Sequence, residues 1–206
     1  MNPRLKLLIL FLAPITLVVI FSFINEQLII SSKGSLAATI EKNASLSYVF
    51  PDSTKTTDCQ IRGPLPDPDC TPGDVFPGID KEIICVKGYT KTVRNVSVNL
   101  KKKVYEAYGI PYPQPRGSYE ADHLIPLELG GSNDFENLFP ESENPRPGFR
   151  EKDLVENYLN HEMCAGRISL SAAQQQIAKD WLTVYENLSP STVDELKKEF
   201  LKYTNN

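Results

Sequence analysis

The chain has 206 residues, of which 41% are hydrophobic and 23% charged, with a formal net charge of −4 at pH 7. This is enough for one core of ordinary size. The acidic balance excludes a protein that grips nucleic acid by bulk charge, so any phosphate contact must come from a local patch.

Residues 7–24 are apolar and uncharged, preceded by Arg4 and Lys6 and by no acid. Such a run is long for a signal core, about 7–15 residues, and near the short end of a membrane span, about 17–25. The pattern predicts a membrane anchor or signal segment over 1–25, an uncleaved anchor being favoured. The flanking cations stay cytoplasmic, so both readings put the remainder outside the cytoplasm, with the membrane met only through this segment. A polar Ser/Thr/Asn-rich linker is expected over 26–57.

Residues 51–77 are dense in Pro, Asp and Gly, which fits neither a long helix nor a central strand. The pattern predicts an irregular segment held by its cysteines. Cys59, Cys70, Cys85 and Cys164 form an even set in an exported chain, so two disulfides are expected. Of three pairings, Cys59–Cys70 with Cys85–Cys164 is favoured; it would staple a short loop and tie the N-terminal region to the C-terminal helices. Zinc is disfavoured by the wide spacings and the lack of a CxxC pair.

Further along, 83–86 is predicted as a short strand and 90–98 as an extended segment. A helix over 97–108 carries Lys101, Lys102 and Lys103, a solvated face or a phosphate contact. Strands are expected over 119–127 and at Leu138-Phe139, separated by the turn chemistry of Gly130-Gly131-Ser132-Asn133. Leu154, Val155, Tyr158, Leu159 and Met163 recur on one face of a helix over 151–164, with Gly166 as its stop. Ser171 with Gln174 reads as a capping box. A last, weaker helix begins near Ser191 and occupies the 189–206 tail.

The chemistry concentrates between residues 119 and 153. Asp122-His123 is followed by Gly130-Gly131, then by Asn137-Leu138, then by a polar run into the helix. A neutral imidazole at His123 suits the removal of a proton from water. Asn137 suits a bond across the loop or to the ring, orienting that base. Arg146, Arg150 and Lys152 flank the run as candidate backbone-phosphate contacts.

In that order and spacing, D-H, G-G and N-L resemble the HNH nucleases of the ββα-metal class. The wider run, with C-T-P-G at Cys70, I-C-V-K-G-Y-T at Cys85, D-H-L-I-P-L-E-L-G-G, N-L-F-P-E, K-D-L-V-E-N and C-A-G at Cys164, looks like exported bacterial HNH-like proteins over 58–188. The resemblance implies an α+β fold: a ββα-metal (HNH) core with flanking helices and a disulfide-held irregular N-terminal segment. It implies metal-dependent hydrolysis of phosphodiester bonds in DNA, or RNA, with His123 as base and Mg²⁺ or Mn²⁺ as the ion. Asp122 would be a metal ligand, with the third position supplied by Asn144, Asp153 or Glu156; Asn144 stands 21 residues after His123. No specific protein partner is implied. The rival readings are a catalytically inactive exported module that keeps the fold as a scaffold, and a wall-polymer hydrolase using Glu120 and Glu128.

Overall fold

In the computed structural model residues 48–204 are described; the expected anchor over 1–25 and most of the expected linker lie outside them. A two-stranded hairpin and the helix after it set the architecture. β1 (Tyr119–His123) pairs antiparallel with β2 (Leu138–Ser142), Tyr119 opposite Ser142 and His123 opposite Leu138. β1 is shorter than the 119–127 predicted. Beyond His123 the backbone N–H and C=O of Ile125 are both taken by the side chain of Asn137, at 2.9 and 2.8 Å. Pro126 then offers no donor for a ladder, and the chain closes into a 3₁₀ turn, Leu127–Leu129.

The two glycines after that turn do different work. Gly130 sits at φ 77°, where an L side chain is strained. At Gly131 a Cβ would lie 1.7 Å from the carbonyl oxygen of Ile125, so no other residue fits the close approach. A second 3₁₀ turn, Phe135–Asn137, leads into β2. A loop ends at Gly148, whose N–H donates to the Glu151 carboxylate at 2.9 Å, closing the first turn of the next helix.

Among the described residues three helices precede the hairpin. α1 (Lys81–Ile84) and α2 (Tyr89–Val93) replace the predicted strand and extended segment. Asp80 caps α1 by accepting the Ile83 N–H at 2.9 Å, and Gly88 turns the chain at φ 88°. These local caps outweigh the β-branched composition that suggested strands. α3 (Val98–Ala107) is the helix expected, capped by Ser97.

After the hairpin, α4 (Phe149–Cys164) starts two residues before the predicted 151. α5 (Leu170–Glu186) is capped by Ser169, not Ser171; Ser171 instead accepts the Tyr48 N–H at 3.3 Å. α6 (Pro190–Thr204) closes the described chain. The main core lies between α4 and α5, where Val155, Leu159 and Met163 meet Ala173, Ile177 and Trp181, with Ile125 and Leu129 from the turn region. A second cluster joins Tyr108, the C-terminal cap of α3, to Leu124, Phe139 and the Cys59–Cys70 pair.

Both expected disulfides are present, Cys59–Cys70 and Cys85–Cys164. Disulfides of this kind belong to an oxidising, extracytoplasmic compartment. The irregular segment they hold lies on the turn: Phe76 N–H donates to Gly130 C=O and Ser132 N–H to Asp74 C=O. Tyr48–Asn206 forms a compact unit, so folded structure begins before the expected boundary at 58. Phe50 packs on the core, the Thr54 and Lys55 N–H groups donate to Asp69 C=O, and Lys55 pairs with Asp67 at 2.9 Å. Nor is the last helix a separate tail, for Leu196 is buried. No helix among the described residues is long and apolar enough to cross a membrane.

Candidate functional site

His123 ends β1 and is 4% exposed. Its Nε2 lies 3.2 Å from Oδ1 of Asn133. The orientation of that amide is fixed independently. Asn133 Nδ2 donates to Val93 C=O at 2.7 Å, and Oδ1 also accepts the Asn95 N–H at 3.3 Å. Since Oδ1 can only accept, His123 Nε2 must carry the hydrogen. The basic nitrogen of the neutral ring is therefore Nδ1. It makes no hydrogen bond among the described residues. Burial lowers the pKa of the imidazole, against the pull of Asp122 and Asn133. The ring is thus held in its proton-accepting form near neutral pH.

Side chains alternate along β1, and the two neighbours indeed meet different partners. Asp122 meets Lys152 of α4 at 2.8 Å. The Lys152 side chain is fully buried, and its Nζ also donates to His123 C=O at 2.6 Å and to Glu156. One ammonium thus ties the end of β1 to α4. Burial disfavours that charge, but Asp122, Glu156 and Glu141 hold the lysine protonated. For Asp122 burial pushes the pKa up, and Lys152 and Glu141 overcome it, leaving the carboxyl at about 2.

The remaining acids outnumber the single lysine. Burial and Asp153 push Glu128 up to about 7, and burial and Asp122 push Asp153 up to about 7. Burial raises Glu156 and Glu141 well above the carboxylate range. Both Glu141 oxygens are buried without a donor. A protonated Glu141 that donates to the Asp122 carboxylate resolves this for one of the two oxygens, because the acid form supplies one O–H. One oxygen of Glu128 is likewise buried and unpartnered. As ligands for a hard divalent cation these oxygens fit in kind, and positive charge is what the cluster lacks. They are not drawn together: among the described residues no three His, Cys, Asp or Glu side chains form a group that could hold a metal ion.

The other expected residues are placed as follows. Asn137 is fully buried and makes four bonds across the loop, to Ile125 N–H and C=O, Ser132 C=O and, at 3.4 Å, Asp74 N–H. It organises the loop and does not bond the imidazole, a part that falls to Asn133. Asp153 and Glu156 lie with Asp122 in the acidic cluster. Asn144 is exposed just past the Tyr119–Ser142 end of the hairpin, and makes no hydrogen bond to the cluster. Four residue steps separate that end from His123, about 13 Å of strand. Asn144 is therefore not brought to the His123 site. Lys152, expected at a backbone phosphate, is instead buried and spent on carboxylates. Arg146 and Arg150 are exposed but paired, with Glu151 at 2.6 Å and with Glu143 at 2.6 Å.

Two residues matter that the sequence did not single out as site residues, Asn133 and Glu141, and Glu128 entered only in the wall-polymer reading. Asn133 stood in the turn and looked like turn chemistry alone. A groove of about 550 Å³ lined by Tyr158, Lys179, Asp180 and Asn187 includes neither His123 nor the Lys152 cluster. Comparison of the chain with protein-family models, curated proteins and solved structures gives no match.

Proposed function

We propose that the protein is an extracytoplasmic endonuclease of the HNH type, hydrolysing phosphodiester bonds of DNA with His123 as general base. The observation that carries this reading is the fixed imidazole: Asn133 takes Nε2–H and leaves Nδ1 without a hydrogen-bond partner among the described residues, on a ring that burial keeps neutral. In the reaction Nδ1 accepts a proton from water as the water oxygen bonds phosphorus and the P–O bond to the leaving sugar breaks. Asn137 keeps the loop that carries Asn133 at its distance from the ring. Lys152 holds the backbone of His123 through its carbonyl.

Asp122, Glu128 and Asp153 offer the oxygen donors a divalent ion, Mg²⁺ or Mn²⁺, would take, and they would have to draw together around it to hold it. Bound there, it would offset charge on the phosphate and relieve the crowding of these carboxyls. The strand–turn–strand–loop–helix order and the D-H, G-G, N-L spacing support this reading. A second reading is favoured by one specific observation: the Lys152 ammonium lies against Asp122 and Glu156, so the fold already has an internal cation. On that reading the protein is an inactive scaffold that binds other envelope components.

Nicking of supercoiled plasmid by the oxidised protein separates the two. The nuclease reading expects relaxed and linear products with Mg²⁺ or Mn²⁺ and none with chelator. Intact plasmid at every divalent ion, from protein with a cooperative melt, would favour the scaffold.

A further inference from the structure

Of the cations expected to meet a phosphate chain, Arg146, Arg150 and Lys152 are spent on carboxylates, which leaves the lysines of α3 and whatever lies beside them. The segment from α2 into α3 is docked directly beside His123. Val93 C=O and Asn95 N–H grip the same Asn133 amide whose oxygen meets the imidazole, at 2.7, 3.3 and 3.2 Å. Arg94 lies between those two anchors, as the C-terminal cap of α2, and is exposed. Ser97 then caps α3, and Lys101, whose N–H donates to Ser97 C=O, lies in its first turns. α3 packs against both strands of the hairpin.

Arg94 and Lys101 share a property that Arg146, Arg150 and Lys152 lack. Neither side chain makes an ion pair or a hydrogen bond among the described residues. Arg94 sits on the segment that grips Asn133, and Lys101 on the helix packed against β1 and β2. A free guanidinium and a free ammonium beside an acidic cluster are what a phosphodiester chain needs to approach it at all. A guanidinium also grips two phosphate oxygens at once.

We propose that Arg94 and Lys101 form the backbone-phosphate contact of this protein, carrying a polynucleotide across the α2–α3 junction and setting one phosphate beside His123. This rests on the nuclease reading for the role of His123. The contact itself requires only that the partner be a nucleic-acid strand. Such contacts fix position and carry no base readout, so binding should be insensitive to sequence.

The test is binding of a fluorescein-labelled DNA duplex by the full oxidised chain in neutral detergent, with chelator present to prevent cleavage, across a salt series. Arg94→Gln and Lys101→Gln are each expected to weaken binding about tenfold, the size of one lost charged hydrogen bond. Each should flatten the slope of log affinity against log salt by about 1, and the pair by about 2. Arg146→Gln and Arg150→Gln should leave affinity and slope unchanged. Matched melting temperatures exclude unfolding, since neither Arg94 nor Lys101 makes a side-chain bond that the fold would lose.

Wild-type slope and affinity in the Arg94→Gln, Lys101→Gln pair would overturn the proposal, even if the protein cleaves DNA and the nuclease reading stands. Loss of binding on changing Arg146 and Arg150 instead would also overturn it, as would a wild-type chain that binds no DNA at low salt. A flattened slope in a protein that never cleaves would support the contact while the nuclease reading failed.

Discussion

Replacing Glu128 by Gln should stabilise the protein at alkaline pH and not at acid pH. The carboxyl is pushed from its ordinary 4.5 to about 7, by burial first and by the Asp153 charge second. A carboxyl raised in the folded state contributes stability that is complete below about pH 4.5 and is lost as pH rises through about 7. A shift of that size corresponds to about 3 kcal/mol at about 1.4 kcal/mol per unit. Asp153 shares the same repulsion, so about 2 kcal/mol is assigned to Glu128 alone. Removing the charge should raise the melting temperature by roughly 4–8 °C at pH 8 for a unit of this size. At pH 4 wild type and variant should differ little, with the amide slightly worse for its unpaired N–H. His123 runs the opposite way: its lowered pKa gives stability present above about 6.5 and lost as pH falls. Calorimetry at pH 4, 6 and 8 with chelator reads both trends. A Glu128→Gln chain that is destabilised equally at pH 4 and pH 8 would refute the account of a crowded acidic cluster.

Lys152→Met should cost about 3–5 kcal/mol, because Asp122 and Glu156 would be left buried without their cation. Denaturant titration followed by the single tryptophan, the fully buried Trp181, measures it. Asn137→Ala removes four loop hydrogen bonds and should cost about 2–4 kcal/mol by the same assay, at about 0.5–1.5 kcal/mol for each well-made bond. Losing Cys85–Cys164, which spans 79 residues, should cost about 4–5 kcal/mol in the chain-entropy picture, against about 3 for Cys59–Cys70 with its span of 11. Thermal melts of the paired Cys→Ser variants give the order. In the wild type, millimolar Mn²⁺ should raise the melting temperature at pH 8; Glu128→Gln should blunt the rise, and an equal rise in both would exclude Glu128 as a ligand.

The features legible in the sequence were those written in local periodicity or in spacing. The α4 face and the Gly130-Gly131 turn followed from residue type and order; for Asn137 the sequence offered a bond across the loop or to the ring, and the structure has the first. The chain failed as a guide where a single local bond decides. Asp80 and Gly88 made helices of stretches whose Val, Ile and Thr content reads as strand, and Ser169 took the cap expected of Ser171. Charge was the hardest property to place. Lys152 and Arg150 are two residues apart and look alike in sequence, yet α4 turns one into the core and leaves the other at the surface. Their different fates depend on where Asp122 and Glu143 arrive from the hairpin, which no local window contains. Asn133 was hidden for the same reason, because its partners at Val93 and Asn95 lie about 40 residues away.

In the proposed reaction His123 Nδ1 takes the proton of the attacking water. Single-turnover cleavage of a labelled DNA duplex with Mg²⁺, by wild type, His123→Ala and Asn133→Ala at saturating protein, reads it most directly. The account expects His123→Ala to lose about 10²–10⁴ in rate with DNA affinity unchanged, and Asn133→Ala to lose less as the ring is freed to change tautomer. Cleavage by His123→Ala at the wild-type rate would contradict it.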